Sequence, residues 1–256
     1  PTRPVIDASG GIHFVSDMYD IHDYEQNPAI FGPRYAPDAP IIWDRFADRE
    51  TYTGGPVFVS EYGGIAWNEG SGWGYGESPK SPEEFIERYR GLTNALLAND
   101  VVATAGDAVL TNAQLQVYYM QEIYTYLSEN SEPAFSLEHG LDVQMCSISE
   151  SAMTWQQYFL QRALTTWHMY QALALDCNAN NLGLNDSYYH YLNGLPEALT
   201  QTAESLGYAS ADAMAADLMG DGTTADNLVE YVRLYETGHS YFDRAYQTSV
   251  PTADEV

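Results

Sequence analysis

The feature that most constrains this chain is a change of pattern near residue 100. Up to Asp100 the sequence is rich in Gly, Pro and Trp, with short apolar runs set between turn signals. Beyond it, long stretches carry apolar residues at helical spacing. Strands with connections need neighbours to pair with, whereas amphipathic helices need faces to pack against, so the two parts predict two different layer arrangements. A boundary at 100 splits the 256 residues into 1–100 and 101–256, each long enough for its own core.

In the first part, Arg3–Gly10 (RPVIDASG) and Pro56–Glu61 (PVFVSE) read as buried strands, and Phe14–Tyr24 (FVSDMYDIHDY) as a weaker third. Ser81–Asn99 reads as a helix with Ser81 at the N-cap, Pro82 behind it, Glu83 and Glu84 in the first turn, and Phe85, Tyr89, Leu92 and Leu96 on one face. The expectation is an α/β arrangement. In the second part a short strand from Val101 and a Gly106-Asp107 turn lead into a helix whose Thr111 and Gln114 form a capping box. Its apolar stripe runs through Leu115, Tyr118, Tyr119, Ile123, Tyr126 and Leu127. Further helices are expected over Ser151–Asn180, Asn185–Leu192, Pro196–Leu206, Ser210–Met219 and Thr224–Gln247, with Gly183, Gly207 and Gly220 as stops. This part is essentially all-α.

The formal charge is −26, from 36 acids and 10 bases, which argues against nucleic acid or an anionic membrane surface as partner. No apolar run approaches the ~20 residues that span a bilayer, and PTRPVIDASG has neither a basic nor an apolar leader region. The abrupt start without Met suggests a processed chain or a fragment, and leaves localisation open. Cys146 and Cys177 lack metal-site spacing and are expected as buried free thiols. His168 and His190 each lack a second ligand at metal spacing, and GWGYGE lacks the Lys and helix context of a phosphate loop, so neither metal nor cofactor is expected.

Glu61 ends an apolar strand and is followed by Gly63 and Gly64, then by Trp67, Trp73 and Tyr75. The C-terminal ends of parallel strands are where barrels and doubly wound sheets place their chemistry, and flat aromatic faces suit the C–H side of a sugar ring. An acid at a strand end is also commonly a capping or salt-bridging residue, and both readings stay open on pattern alone.

Three blocks, RPVIDASGGIHFVSDMYDIHDYEQNP, GGPVFVSEYGGIAW and WGYGESPKSPEEFIERYRGLTNALL, stand in one order and resemble the late part of the catalytic barrel of glycoside hydrolase family 2, the β-galactosidase and β-glucuronidase family. The resemblance covers residues 1–99. It implies a partial (β/α)8-barrel segment, a β-galactoside-like carbohydrate substrate, Glu61 as the nucleophile of a retaining mechanism, and Asp20, His22, Tyr24 and Trp67 as substrate-binding or supporting residues. A retaining mechanism needs a second, protonated carboxyl about 5–5.5 Å away. The family's acid belongs to an upstream Asn-Glu pair with no counterpart before Glu61. Asn68-Glu69 follows the nucleophile and reads as a loop feature, and Asp17, Asp20, Asp23 and Glu25 belong to one strand-end block.

The second part resembles the N-terminal helical chaperone region of SurA-like and parvulin-type peptidyl-prolyl isomerases, through VVATAGDAVLTNAQLQVYYMQEIYTYL and the Ala174–Asp186 step. That resemblance implies unfolded polypeptide as partner, with aromatics such as Tyr118, Tyr119, Trp155, Phe159 and Trp167 either lining a groove or forming a bundle core. The whole chain is therefore expected as a barrel fragment fused to an all-α domain, inactive alone as a glycosidase, the alternative being a chaperone that binds unfolded polypeptide.

Overall fold

A computed structural model describes residues 5–6, 10, 15–36, 39, 56–67, 74–136, 138–180, 182–184 and 186–249. The chain is mixed α/β and divides into two compact units, Pro1–Asp100 and Val101–Val256. Among the described residues there are seven α-helices and two two-stranded sheets.

In the first unit, β1 (Tyr19–Asp23) lies parallel to β2 (Val57–Tyr62). Between them come α1 (Pro28–Phe31), started by Asn27 accepting from Ala29 N, and a 3-10 turn over Gly32–Tyr35. The helix α2 (Pro82–Asn99) begins as its sequence requires, with the Ser81 hydroxyl accepting from Glu84 N at 3.2 Å. Among the described residues the apolar interior includes Tyr19, Ile21, Phe31, Leu92 and Ala98. Tyr62 turns towards α2, its hydroxyl 2.9 Å from Thr93 Oγ1 and its ring 5.9 Å from Phe31.

Three strand expectations change. Phe14–Tyr24 contracts to β1. Of Arg3–Gly10, only Val5, Ile6 and Gly10 lie within the described residues, and they sit outside strands. Pro56–Glu61 is a strand but not a buried one, since Val57 and Phe58 are exposed. Among the described residues β2 pairs on one edge only, and a strand with a single neighbour buries little.

The second unit opens with a β-hairpin, β3 (Val101–Ala105) and β4 (Ala108–Thr111), across the Gly106-Asp107 turn. It is therefore helical with one hairpin rather than all-α. The five helices that follow are α3 (Asn112–Glu129), α4 (Trp155–Ala179), α5 (Asp186–Leu206), α6 (Ala211–Met219) and α7 (Ala225–Ser249). The Thr111–Gln114 capping box forms as expected. A second one, Thr154 with Gln157, starts α4 four residues later than its apolar pattern suggests.

Residues expected as two helices, 185–192 and 196–206, form the single helix α5 through Gly194 and Pro196. An interior proline forfeits one helical hydrogen bond and costs about 3 kcal/mol. Packing of α5 against α6 and α7 offsets that cost.

The core has two clusters. One joins Leu110, Leu115, Tyr118, Ala163 and Trp167 under the hairpin. The other joins Ile123, Phe135, Cys146, Trp155 and Phe159. Trp155 and Phe159 stack with ring centroids 5.6 Å apart. These aromatics therefore build the bundle core. α3 also buries Val117 and Glu122, off its expected stripe, because α4, α7 and α6 all pack on it. Glu122 accepts from Arg162 Nε and Thr166 Oγ1, both at 2.6 Å, which satisfies its carboxylate inside the bundle. Cys146 and Cys177 are buried and free.

Candidate functional site

Glu61 owes its position to an irregularity in the strand pairing. Ile21 pairs with Val59, but the next pair is His22 with Glu61, so the ladder skips Ser60. In a regular ladder Glu61 would oppose Asp23, which faces the other way. The skipped residue brings Glu61 alongside His22, while Asp23 and Tyr62 turn towards the helical side.

On the Glu61 side, Tyr24 donates its hydroxyl to Glu61 Oε2 at 2.5 Å, and His22 Nδ1 lies 3.6 Å from the same oxygen. Tyr24 and His22 are themselves 3.4 Å apart. The bond to Glu61 pushes the Tyr24 phenol up to about 12, so it stays protonated and donating at neutral pH. The Tyr24 ring stacks on Tyr75, centroids 3.9 Å apart and nearly parallel. Gly63 and Gly64 both take positive φ, 74° and 56°. A Cβ on Gly64 would come within 2.5 Å of the Tyr75 ring, so a side chain there would break the stack that carries Tyr24. Gln26 ties the turn together by donating to Gly63 O at 3.1 Å and to Tyr75 O.

The acids upstream of Glu61 are structural. Asp17 accepts from Val5 N at 2.9 Å. Asp20 is 1% exposed and accepts from Gly10 N at 2.8 Å, so it lies beneath the site and not at its surface. Asp23 is held by Arg34 at 2.7 and 2.8 Å and by the Tyr35 hydroxyl at 2.9 Å. Burial pushes its carboxyl up, but these hydrogen bonds win and hold it below its ordinary value. Glu25 completes the cluster at 3.2 Å from Arg34. This Asp23–Arg34–Tyr35 anchor carried no signal in the sequence, since it joins residues 11 and 12 apart through the turn of α1.

An open cavity of about 450 Å³ lies beside Tyr24, lined by His22, Tyr24, Glu25, Gln26, Arg34 and Tyr75. Glu61 is 56% exposed and lies outside that lining. Trp67 is 41% exposed, with its ring 6.1 Å from Phe85 of α2. Trp73 and Asn68-Glu69 lie outside the described residues. The structure thus brings Glu61, Tyr24 and His22 together, keeps Asp20 below them, and seats Trp67 against α2. Among the described residues no group of three or more His, Cys, Asp or Glu is placed to hold a metal, and no helix is long and apolar enough to cross a membrane.

No protein-family model, curated protein or solved structure matches this chain. The reading of the site therefore rests on its own geometry and on the sequence blocks around it.

Proposed function

We propose that residues 1–99 are the nucleophile-bearing segment of a retaining glycoside hydrolase barrel of the family 2 type, acting on a β-galactoside-like substrate, with Glu61 as nucleophile. One observation carries the reading. Glu61 leaves the C-terminal end of a parallel strand pair with one oxygen held by Tyr24 and flanked by His22, on the face opposite the helices. In a barrel that face looks inward to the substrate. Tyr24 orients the carboxylate, so that its free oxygen attacks the anomeric carbon while the leaving group departs.

The proton for a natural leaving group comes from a second carboxyl. Among the described residues Asp17, Asp20, Asp23 and Glu25 are engaged elsewhere, so glycosylation of Glu61 is best tested with a leaving group that needs no proton. The experiment is exposure to a 2,4-dinitrophenyl 2-deoxy-2-fluoro-β-galactoside, followed by peptide mass spectrometry. The expected result is one glycosyl adduct on the peptide carrying Glu61, absent in Glu61→Gln. An unlabelled wild-type chain would remove the enzyme reading.

The second unit is read as a polypeptide-holding domain of the foldase type joined to that segment. Val143, Met145 and Ile148 support it, being three exposed apolar side chains within six residues of the connection between α3 and α4. Such a cluster marks a contact surface where a single exposed residue would not. Suppression of aggregation of an unfolded client by the wild type, lost in a chain with all three changed to Ser, is the expected outcome.

A further inference from the structure

The connection between α3 and α4 is pinned from one side where it passes Thr154. Met145 bridges Thr154 in antiparallel fashion, with Cys146 N donating to Met153 O and Trp155 N donating to Gln144 O, both at 2.9 Å. When the bonds of an antiparallel bridge come from the flanking residues, the bridged residue turns its own N–H and C=O to the opposite edge. Met145 therefore offers both backbone groups away from Thr154, and among the described residues neither has a hydrogen bond. Side chains alternate along the same stretch. The Gln144 amide is tied inward, donating to Ser136 O at 2.9 Å and His139 O at 3.0 Å and accepting from Ser136 N at 2.8 Å, while Cys146 is buried in the Trp155 cluster. Val143 and Met145 face out, 72% and 62% exposed, and Ile148 adds a third exposed apolar side chain three residues on.

A strand face turned to water ordinarily carries polar residues, and an open edge is ordinarily guarded by Lys or Pro. This short extended stretch has Val and Met outward and neither guard between Val143 and Ile148. Charge selects what it takes. Residues 129–153 hold five acids, Glu129, Glu132, Glu138, Asp142 and Glu150, and no Lys or Arg. Asp142 and Glu150 bracket the apolar residues in the chain, both are exposed, and among the described residues no ion pair engages them. A second copy of this chain, at −26 per copy, would bring like charges together across such a surface. An apolar segment flanked by Lys or Arg meets complementary charge instead.

We propose that residues 143–146 are a strand-addition site for an extended, apolar polypeptide segment flanked by basic residues. Backbone groups of the segment pair with the N–H and C=O of Met145, its apolar side chains cover Val143 and Met145, and its cations lie by Asp142 and Glu150. This rests on the reading of the second unit as a polypeptide-holding domain, and it gives that domain a mode of contact and a class of client.

The probe is a fluorescent peptide of alternating valine and threonine with lysine at each end, titrated with the full chain by anisotropy. Two controls accompany it, the same peptide with glutamate ends, and the lysine-ended peptide N-methylated at its three central residues, which removes donors from both of its edges. The lysine-ended peptide should bind about 10-fold tighter than the glutamate-ended one at low ionic strength, with the gap closing in about 0.5 M salt. N-methylation should weaken it by about 10-fold, the worth of one or two hydrogen bonds. Asp142→Asn with Glu150→Gln should erase the preference for lysine ends. Met145→Pro, which deletes the outward N–H, should weaken binding more than Met145→Ser, which keeps it; if the proline variant unfolds, the N-methylated peptide still decides. The proposal is overturned by no binding of the lysine-ended peptide at about 1 mM, by equal binding of the methylated and unmethylated peptides, by no preference for lysine ends, or by a dimer in sedimentation that disappears when Val143, Met145 and Ile148 become Ser. Should an unfolded client still be held, and released by that triple change, while the methylated and unmethylated peptides bind alike, the holding function stands and strand addition falls. If neither client nor peptide binds, both fall.

Discussion

The two units bury different things. Around its sheet, the first unit places polar groups under cover: buried Asp20 accepts from Gly10 N and buried Asp23 accepts from half-buried Arg34, with a few apolar side chains behind them among the described residues. The second buries two aromatic-rich clusters between helices and keeps few charges inside, Glu122 being satisfied by Arg162 and Thr166. Burial of apolar area is cumulative and tolerant of geometry, while a buried carboxylate is stable only with its partners in place. The first unit thus depends on a few directional contacts.

The sharpest test of this contrast compares two tryptophans. Trp155→Ala, at the centre of the second cluster, should destabilise the helical unit by roughly 3–5 kcal/mol in urea unfolding, whereas Trp67→Ala should cost about 1 kcal/mol or less. Equal losses would mean that the first unit has an apolar core of comparable weight. Next comes Asp23→Asn, which strips the half-buried Arg34 of its main partner and should cost roughly 3 kcal/mol, read by near-ultraviolet circular dichroism.

The pH dependence follows from the same residue. Asp23 sits below its ordinary 3.8 in the folded chain, so its contribution is complete above that value and disappears as the pH falls through the lower folded one. Acid titration of the wild type should show this loss below about pH 4, and Asp23→Asn should flatten it.

A smaller effect separates two glycines of similar backbone. Gly64→Ala should cost about 2–3 kcal/mol and loosen Tyr24, because the new Cβ meets Tyr75 and Tyr24 as well as a positive φ. Gly207→Ala, at φ 85° with open space around it, should cost about 1 kcal/mol. Smallest is Thr154→Ala, which removes one capping hydrogen bond from α4 and should lower stability by about 1 kcal/mol, visible as a small shift in the melting of the helical unit.

Much of the second unit could be read from its residues because its signals are local. Thr111 with Gln114, and Gly207 and Gly220 after their helices, each act within one turn of chain. Thr154 with Gln157 is a signal of the same kind and was there to be found. Pro196 misled because a local penalty was outweighed by packing against α7, which no window of sequence contains. In the candidate site, the strand-end acid and its glycines were legible from pattern, while His22 and Tyr24 beside that acid were named only through the family resemblance. Tyr24 meets Glu61 across 37 residues, and only the skipped Ser60 puts them on one face.

By itself, the sequence determined where the chain changes architecture, which segments are helical, and that an acid ends an apolar strand before two glycines. These follow from propensity, capping and periodicity, which act over a few residues. Tertiary structure alone decided that β2 is exposed, that Asp20 is buried, and that Asp23 anchors Arg34. Register, burial and hydrogen-bond partners arise between distant segments, and a single-residue shift in pairing is enough to send a side chain to the other face.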